Sequence, residues 1–236
     1  MMLDMIRQAA TEQTGGALLS AGYPDMLVQP AHLEAILGKE RAARVPMRPD
    51  SAAILGWHGL QGWMPAVPDS AAVMRELGYT LEVIDIHASR GDELIVDLNL
   101  PLPHGMDRRY DIVLDTGTCE HCFNIGQAAV NLASLVREGG FLVQALPLSS
   151  FNHGFYNVNP TWFHDFYPAN GYRLLLLNAV TGIVKDPKIY ELPVTARFNE
   201  APPNAVMVVV AKREVVQPVV FPTQAKYRAN PGLKAG

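Results

Sequence analysis

Cysteine is nearly missing from this chain. Only Cys119 and Cys122 are present, with two residues between them. A bridge between them would close a small loop, so the disulfide framework of a secreted mini-domain is excluded and a reducing, cytoplasmic setting is expected. Charge is sparse as well. Charged residues make up 18%, the 19 basic ones are thinly spread, and the formal net charge is -4. A nucleic-acid partner favours a basic face, so none is expected. No run of about 18 apolar residues occurs, which leaves no candidate membrane span. Met1 to Arg7 lack the basic-then-apolar layout of a signal peptide. What the chain has in quantity is apolar material, 49% of 236 residues, enough for one sizeable core.

The pattern of that material divides the chain into three. Residues 1–50 read as a helical appendage: a short helix over Met2 to Gln13 stopped by Gly15-Gly16, a turn-rich Ser20 to Asp25, and a helix from Pro30 to Leu37 with Gly38 as its cap. Such a segment serves as a cover over a sheet edge or as a lid over a substrate pocket. Residues 51–214 alternate apolar runs with helical spacing. Ala52 to Trp57 reads as a first strand, Leu81 to Asp85 as a second, Glu93 to Asp97 as a third, Tyr110 to Asp115 as a fourth and Phe141 to Ala145 as a fifth. Helices are expected over Ser70 to Leu77, Ile125 to Val136 and Pro160 to Tyr167. Alternation of this kind makes a mostly parallel sheet with right-handed crossovers. Leu174 to Ala179 and Ala205 to Ala211 follow as late strands suited to an edge hairpin. Residues 215–236, with Pro218, Pro222 and Pro231, are expected to be extended or partly disordered.

From Ala52 to Ala211, about two-thirds of the chain, the ordered set of motifs resembles the class I S-adenosylmethionine-dependent methyltransferases. Four pieces carry it: Val83-Ile84-Asp85, Val96-Asp97-Leu98-Asn99 before Pro101 and Pro103, Tyr110 to Asp115 followed by Thr116 to His121, and Arg137-Glu138-Gly139-Gly140 before the fifth strand. The resemblance implies a Rossmann-like three-layer α/β sandwich whose seven-stranded sheet has an antiparallel last strand. It implies S-adenosyl-L-methionine as cofactor. Asp85 and Ile86 would meet the ribose, Asp97 and Leu98 the adenine, and Asp115, Thr116 and Gly117 the sulfonium end. Each of the three acids has a plainer reading, as a turn cap or as a buried anchor of loop amides.

The loop after the expected first strand departs from that family. Glycines normally crowd there so that backbone can approach the cofactor. Here Gly56-Trp57-His58-Gly59 places two large rings on that ground, and Gly62 comes three residues later. These four are still the expected cofactor-loop residues, but the departure keeps a non-catalytic binding or assembly module in play. A nicotinamide oxidoreductase would need a tight Gly-x-Gly-x-x-Gly turn, which is lacking.

Two further segments carry chemistry. In Cys119-Glu120-His121-Cys122 a single cysteine pair falls short of the four ligands of structural zinc, so no metal is expected on it. His121 is a candidate base there, beside Glu120. Ser149 to Pro160 follows the fifth strand and offers His153, the leading candidate base, with Asn152 and Tyr156 to bind substrate. The stretch from His153 to Phe163 resembles members of the family tied to saccharide pathways, implying a small, hydroxylated, saccharide-type acceptor.

Overall fold

In the computed structural model, residues 3–6, 15–106 and 110–228 are described. Their centre is an eight-stranded mixed sheet in the order β3-β2-β1-β4-β5-β8-β6-β7. The strands are β1 (Gly16–Ala21), β2 (Tyr79–Asp85), β3 (Leu94–Ile95), β4 (Tyr110–Asp115), β5 (Val136–Pro147), β6 (Tyr172–Thr181), β7 (Lys188–Tyr190) and β8 (Val206–Arg213). The first five run parallel. β8 inserts antiparallel between β5 and β6, as expected of a late antiparallel strand. The short β7 makes eight strands in place of the expected seven.

Helices cover both faces. Before β2 come α1 (Pro30–Leu37), α2 (Lys39–Ala42), α3 (Ser51–Trp57) and α4 (Ser70–Glu76); then α5 (Ile125–Leu135) precedes β5, α6 (Pro160–Ala169) precedes β6, and α7 (Ala225–Arg228) lies near the end. Alternation along β4 sets the two cores. Ile112 and Leu114 pack with Leu33, Leu55 and Met74 on one side, and Val113 packs with Leu132, Phe163 and Tyr167 on the other. A strand covered on both faces reads as a continuous apolar run, which is why β4 is legible in full in the sequence.

The first strand is corrected. The run from Ala52 to Trp57 forms α3, and the central strand β1 comes from residues assigned to the helical appendage. The glycines read there as a helix stop have a different task. A Cβ on Gly15 would come within 2.6 Å of the Gly78 carbonyl, and one on Gly16 within 2.1 Å of the Asp111 carboxylate. Only glycine lets β1 enter the sheet there, where Asp111 Oδ2 accepts from the Ala17 amide at 2.7 Å. The helix expected over Met2 to Gln13 is helical at 3–6; its remainder lies outside the described residues. The C-terminal segment is tied down before α7. Val220 exchanges two hydrogen bonds with the Asn170 side chain, and the Ala225 amide donates to Asp165 Oδ2.

Candidate active site

The chain runs outward from β1 to β3, returns, and continues from β4 beside β1. That reversal opens a crevice at the carboxyl ends of β1 and β4, the usual ligand place in a doubly wound sheet. A cavity of about 670 Å³ lies there, bordered by Tyr23, Asp25, Thr116, Gly117, Glu120 and His153. That volume suits a cofactor-sized ligand.

The β1 turn carries one glycine. Gly22 adopts φ +74°, where other residues are strained, and a Cβ on it would stand 3.0 Å from Thr118 Oγ1. Its amide donates to the Ile84 carbonyl at 2.8 Å, and Thr118 Oγ1 donates to the Ala21 carbonyl at 2.8 Å. The turns after β1, β2 and β4 are thus stitched together. Asp25 then holds two groups: Arg90 at 2.8 Å, whose guanidinium lies over the Tyr23 ring, and His58 Nε2 at 3.1 Å.

The expected cofactor residues divide. Asp85 ends β2 half-buried, with Oδ1 accepting from the His87 amide at 3.1 Å, and Ile86 beside it is exposed. Asp97 is half-buried and caps a turn, accepting from the Asn99 side chain and amide, which holds its carboxyl below the usual range; Leu98 is buried. Thr116 and Gly117 border the cavity. Asp115 does not: it has no exposed surface. Its Oδ1 accepts from the Thr118 and Cys119 amides and its Oδ2 from the Gln144 side chain. It organises the loop and is shielded from any ligand.

Gly56, Trp57, His58 and Gly59 lie on α3 and the turn after it, so they are not the loop of the first strand. Trp57 is 88% exposed. His58 nevertheless reaches the cavity wall through its contact with Asp25.

The loops after β4 and β5 meet over Glu120. Cys119–His121 form a single 3-10 turn that puts Glu120 inward, 1% exposed. Glu120 Oε1 lies 3.4 Å from His153 Nε2 and 3.9 Å from His121 Nε2, and the two half-exposed rings sit 5.1 Å apart. Glu120 Oε2 is buried without a hydrogen-bond partner among the described residues. Burial, reinforced by the Asp115 charge, pushes the Glu120 carboxyl up to about 8. Burial and the neighbouring His153 hold His121 below the ordinary histidine value. Glycine makes the approach of the loops possible: a Cβ on Gly154 would meet the Glu120 carbonyl at 2.8 Å, while Phe155 donates its amide to that carbonyl at 2.9 Å.

His121 and His153 are therefore brought together. Asn152 is exposed in the left-handed region with φ 58°, and Tyr156 donates its hydroxyl to the Phe123 carbonyl at 2.8 Å, so Tyr156 braces the loop and borders a separate hollow on the α5–α6 side. Cys119 and Cys122 are buried free thiols. Burial pushes Cys119 far up and Cys122 to about 11, which leaves neither a reactive thiolate at neutral pH. Sequence reasoning missed Tyr23, Asp25 and Arg90, and treated Glu120 as a neighbour of His121 instead of the centre of the cluster. An available signal for the first two was the apolar Ala17 to Ala21 framed by Gly15-Gly16 and Gly22-Tyr23-Pro24.

No protein-family model matches the chain, and no curated protein matches it in sequence. Among solved structures it is similar to the 1,6-didemethyltoxoflavin-N1-methyltransferase of Burkholderia thailandensis, solved with S-adenosylhomocysteine, at 13% identity and a TM-score of 0.45, over 89% of this chain and 77% of that one. It is similar to TehB of Haemophilus influenzae at 10% identity and a TM-score of 0.47, over 89% of this chain; it spans 61% of TehB. It is also similar to the 16S rRNA (adenine(1408)-N(1))-methyltransferase of Catenulisporales acidiphilia at 10% identity and a TM-score of 0.43, over 91% of this chain and 94% of that one.

Proposed function

We propose that this chain is an S-adenosylmethionine-dependent methyltransferase acting on a hydroxyl of a small, polar, saccharide-type acceptor. The observation that carries the reading is the crevice between β1 and β4, with the Glu120-His121-His153 cluster on one flank; Asp85, ending β2, and Asp97, two residues past β3, stand at the same carboxyl edge on the other side of β1. The residues fit the cofactor. Gly22 allows close backbone approach, Asp85 offers a half-buried carboxylate at the strand end to ribose hydroxyls, and Asp97 with the Leu98 amide would serve an adenine edge. Thr116 and Gly117, free of bulk, border the space between the two flanks.

When bound, the cofactor supplies a methyl group on a positively charged sulfur that leaves as a neutral thioether. The chain then needs to align an acceptor oxygen, exclude water and remove the hydroxyl proton. His153, which borders the cavity, and His121, 5.1 Å from it, are the candidates for that proton, in that order, and Glu120 fixes where their rings point. Phe151, Phe155 and Phe123 stand exposed on the same loops, an apolar rim suited to the face of a sugar ring.

The binding-module reading no longer rests on residues 56–59, which lie on α3 and the turn after it; what it retains is the single glycine, Gly22, of the turn after β1. The test is release of S-adenosylhomocysteine on incubation with S-adenosylmethionine and a panel of hydroxylated acceptors, sugar nucleotides and free sugars first. Release above the acceptor-free rate, abolished in His153→Gln, is expected. Acceptor-independent background with every panel member would count against it.

A further inference from the structure

Glu120 is buried more deeply than an ordinary carboxylate tolerates. A buried carboxyl either stays protonated or is compensated by a cation or by coordination to a metal. Among the described residues no Lys or Arg pairs with Glu120; its ion-pairing partners are the two imidazoles. A second buried acid, Asp115, stands close enough to disfavour its charge further. Glu120 Oε2 is left with no hydrogen-bond partner among the described residues.

The three side chains offer one ligand atom each, all within 4.8 Å of one another. Around an ion with ligands at roughly 2.0–2.2 Å, ligand atoms stand about 3.3 Å apart, and the Glu120–His153 separation of 3.4 Å already meets that. Both rings are half-exposed and need only small side-chain rotations to close. Two glycines keep the carboxylate where it is: Gly154 packs on its stem, and a Cβ on Gly117 would stand 3.3 Å from Oε1.

We infer that Glu120, His121 and His153 form a site for one divalent transition-metal ion, with an open coordination position facing the cavity. Two imidazoles and one carboxylate are a donor set for zinc or its first-row neighbours, not for magnesium or calcium, which prefer all-oxygen shells. Three protein ligands and a vacancy is the arrangement of reactive sites, whereas structural ions are closed by four. In terms of the methyltransferase reading, on which this role alone rests, the vacancy would take the acceptor hydroxyl oxygen and make its proton easier to lose to water; in the metal-loaded protein the two rings act as ligands and that water replaces them as proton acceptor. From the sequence no metal is expected, the lone cysteine pair falling short of four ligands, and in the structure both of those thiols are buried.

The test is calorimetric titration of chelator-treated protein with zinc chloride, without cofactor or acceptor, supported by cobalt absorption spectra. One ion per chain is expected, with tetrahedral or five-coordinate cobalt bands and no displacement by millimolar magnesium. His121→Ala and His153→Ala, on half-exposed rings that leave the core untouched, should each weaken zinc by at least tenfold. His32→Ala, an exposed ring on the same cavity, should leave it unchanged. Glu120→Gln serves as a third variant where it folds. Failure to bind one ion, or binding that survives both histidine variants, overturns the site. A protein that binds zinc but not S-adenosylmethionine would keep the site and overturn the methyltransferase reading; the reverse outcome would do the opposite.

Discussion

The carboxyl edge of the sheet carries acids on both sides of β1, and they do different work. On the β2–β3 side, Asp85 and Asp97 are half-buried turn acids, each accepting from a nearby backbone amide. On the β4 side, Asp115 and Glu120 are shut away from solvent. The first pair can exchange a water for a ligand hydroxyl at little cost. The second pair cannot meet solvent at all, so each must be satisfied from inside. Asp115 is satisfied by two amides and a glutamine; Glu120 is only half satisfied, and that deficit sits at the cavity. A strand-end acid in sequence therefore does not by itself indicate a ligand contact. The depth of the loop that follows decides whether it recognises or supports.

The largest break of this contrast should come from Asp115→Ala. It strands two backbone amides and the Gln144 side chain in the interior, at about 1–3 kcal/mol for each buried group left unpaired. Denaturant unfolding should show a loss of about 3 kcal/mol or more; a loss below about 1 kcal/mol would show that Asp115 is not the loop's anchor. Asp85→Ala should behave oppositely. The fold should persist, and cofactor affinity should fall by about 1.5–3 kcal/mol, roughly 10- to 150-fold, as for charge-assisted hydrogen bonds. Unchanged affinity in a folded variant would remove Asp85 from the ribose role.

A third acid sharpens the comparison through pH. Glu93 is buried beneath the β2–β3 turn. Burial alone would raise its carboxyl, but its own amide, the Ser89 hydroxyl and the Gly91 and Arg90 amides bring it down to about 2. A folded value below the ordinary 4.5 means the acid's contribution is complete above that pH and is lost as pH falls toward the folded value. Unfolding curves across that window should fall more steeply for the natural chain than for Glu93→Gln. Parallel curves would show the hydrogen bonds to be unimportant. The smallest effect is expected from Trp57→Ala. On the exposed face of α3, it should change neither stability by more than about 0.5 kcal/mol nor cofactor binding; a clear loss of binding would return residues 56–59 to the cofactor loop.

That last variant bears on what the sequence could reveal. β2, β4, α1, α4, α5, α6 and the late antiparallel strands were all legible, because each shows a long apolar period or a clear cap. The confusion of β1 with α3 has a physical origin. Ala17 to Ala21 and Ala52 to Trp57 are both short apolar runs, and runs of that length do not distinguish strand from helix. Ala17-Leu18-Leu19 has no β-branched residue, whereas the helix contains Ile54. The overlooked sign was Pro49-Asp50-Ser51, a helix start. The placement of His121, His153, Thr116 and Gly117 at the carboxyl edge was legible because they follow strands. Asp25 and Arg90 were not, since their pairing spans 65 positions. The burial of Glu120 was equally hidden, as it depends on Gly154 closing from a loop 34 residues away.

The central claim, that the crevice between β1 and β4 holds S-adenosylmethionine, is tested most directly by calorimetric titration of the folded chain with that compound and with S-adenosylhomocysteine. One molecule of either per chain, each weakened in Asp85→Ala, is the predicted result; a folded chain that takes up neither would contradict it.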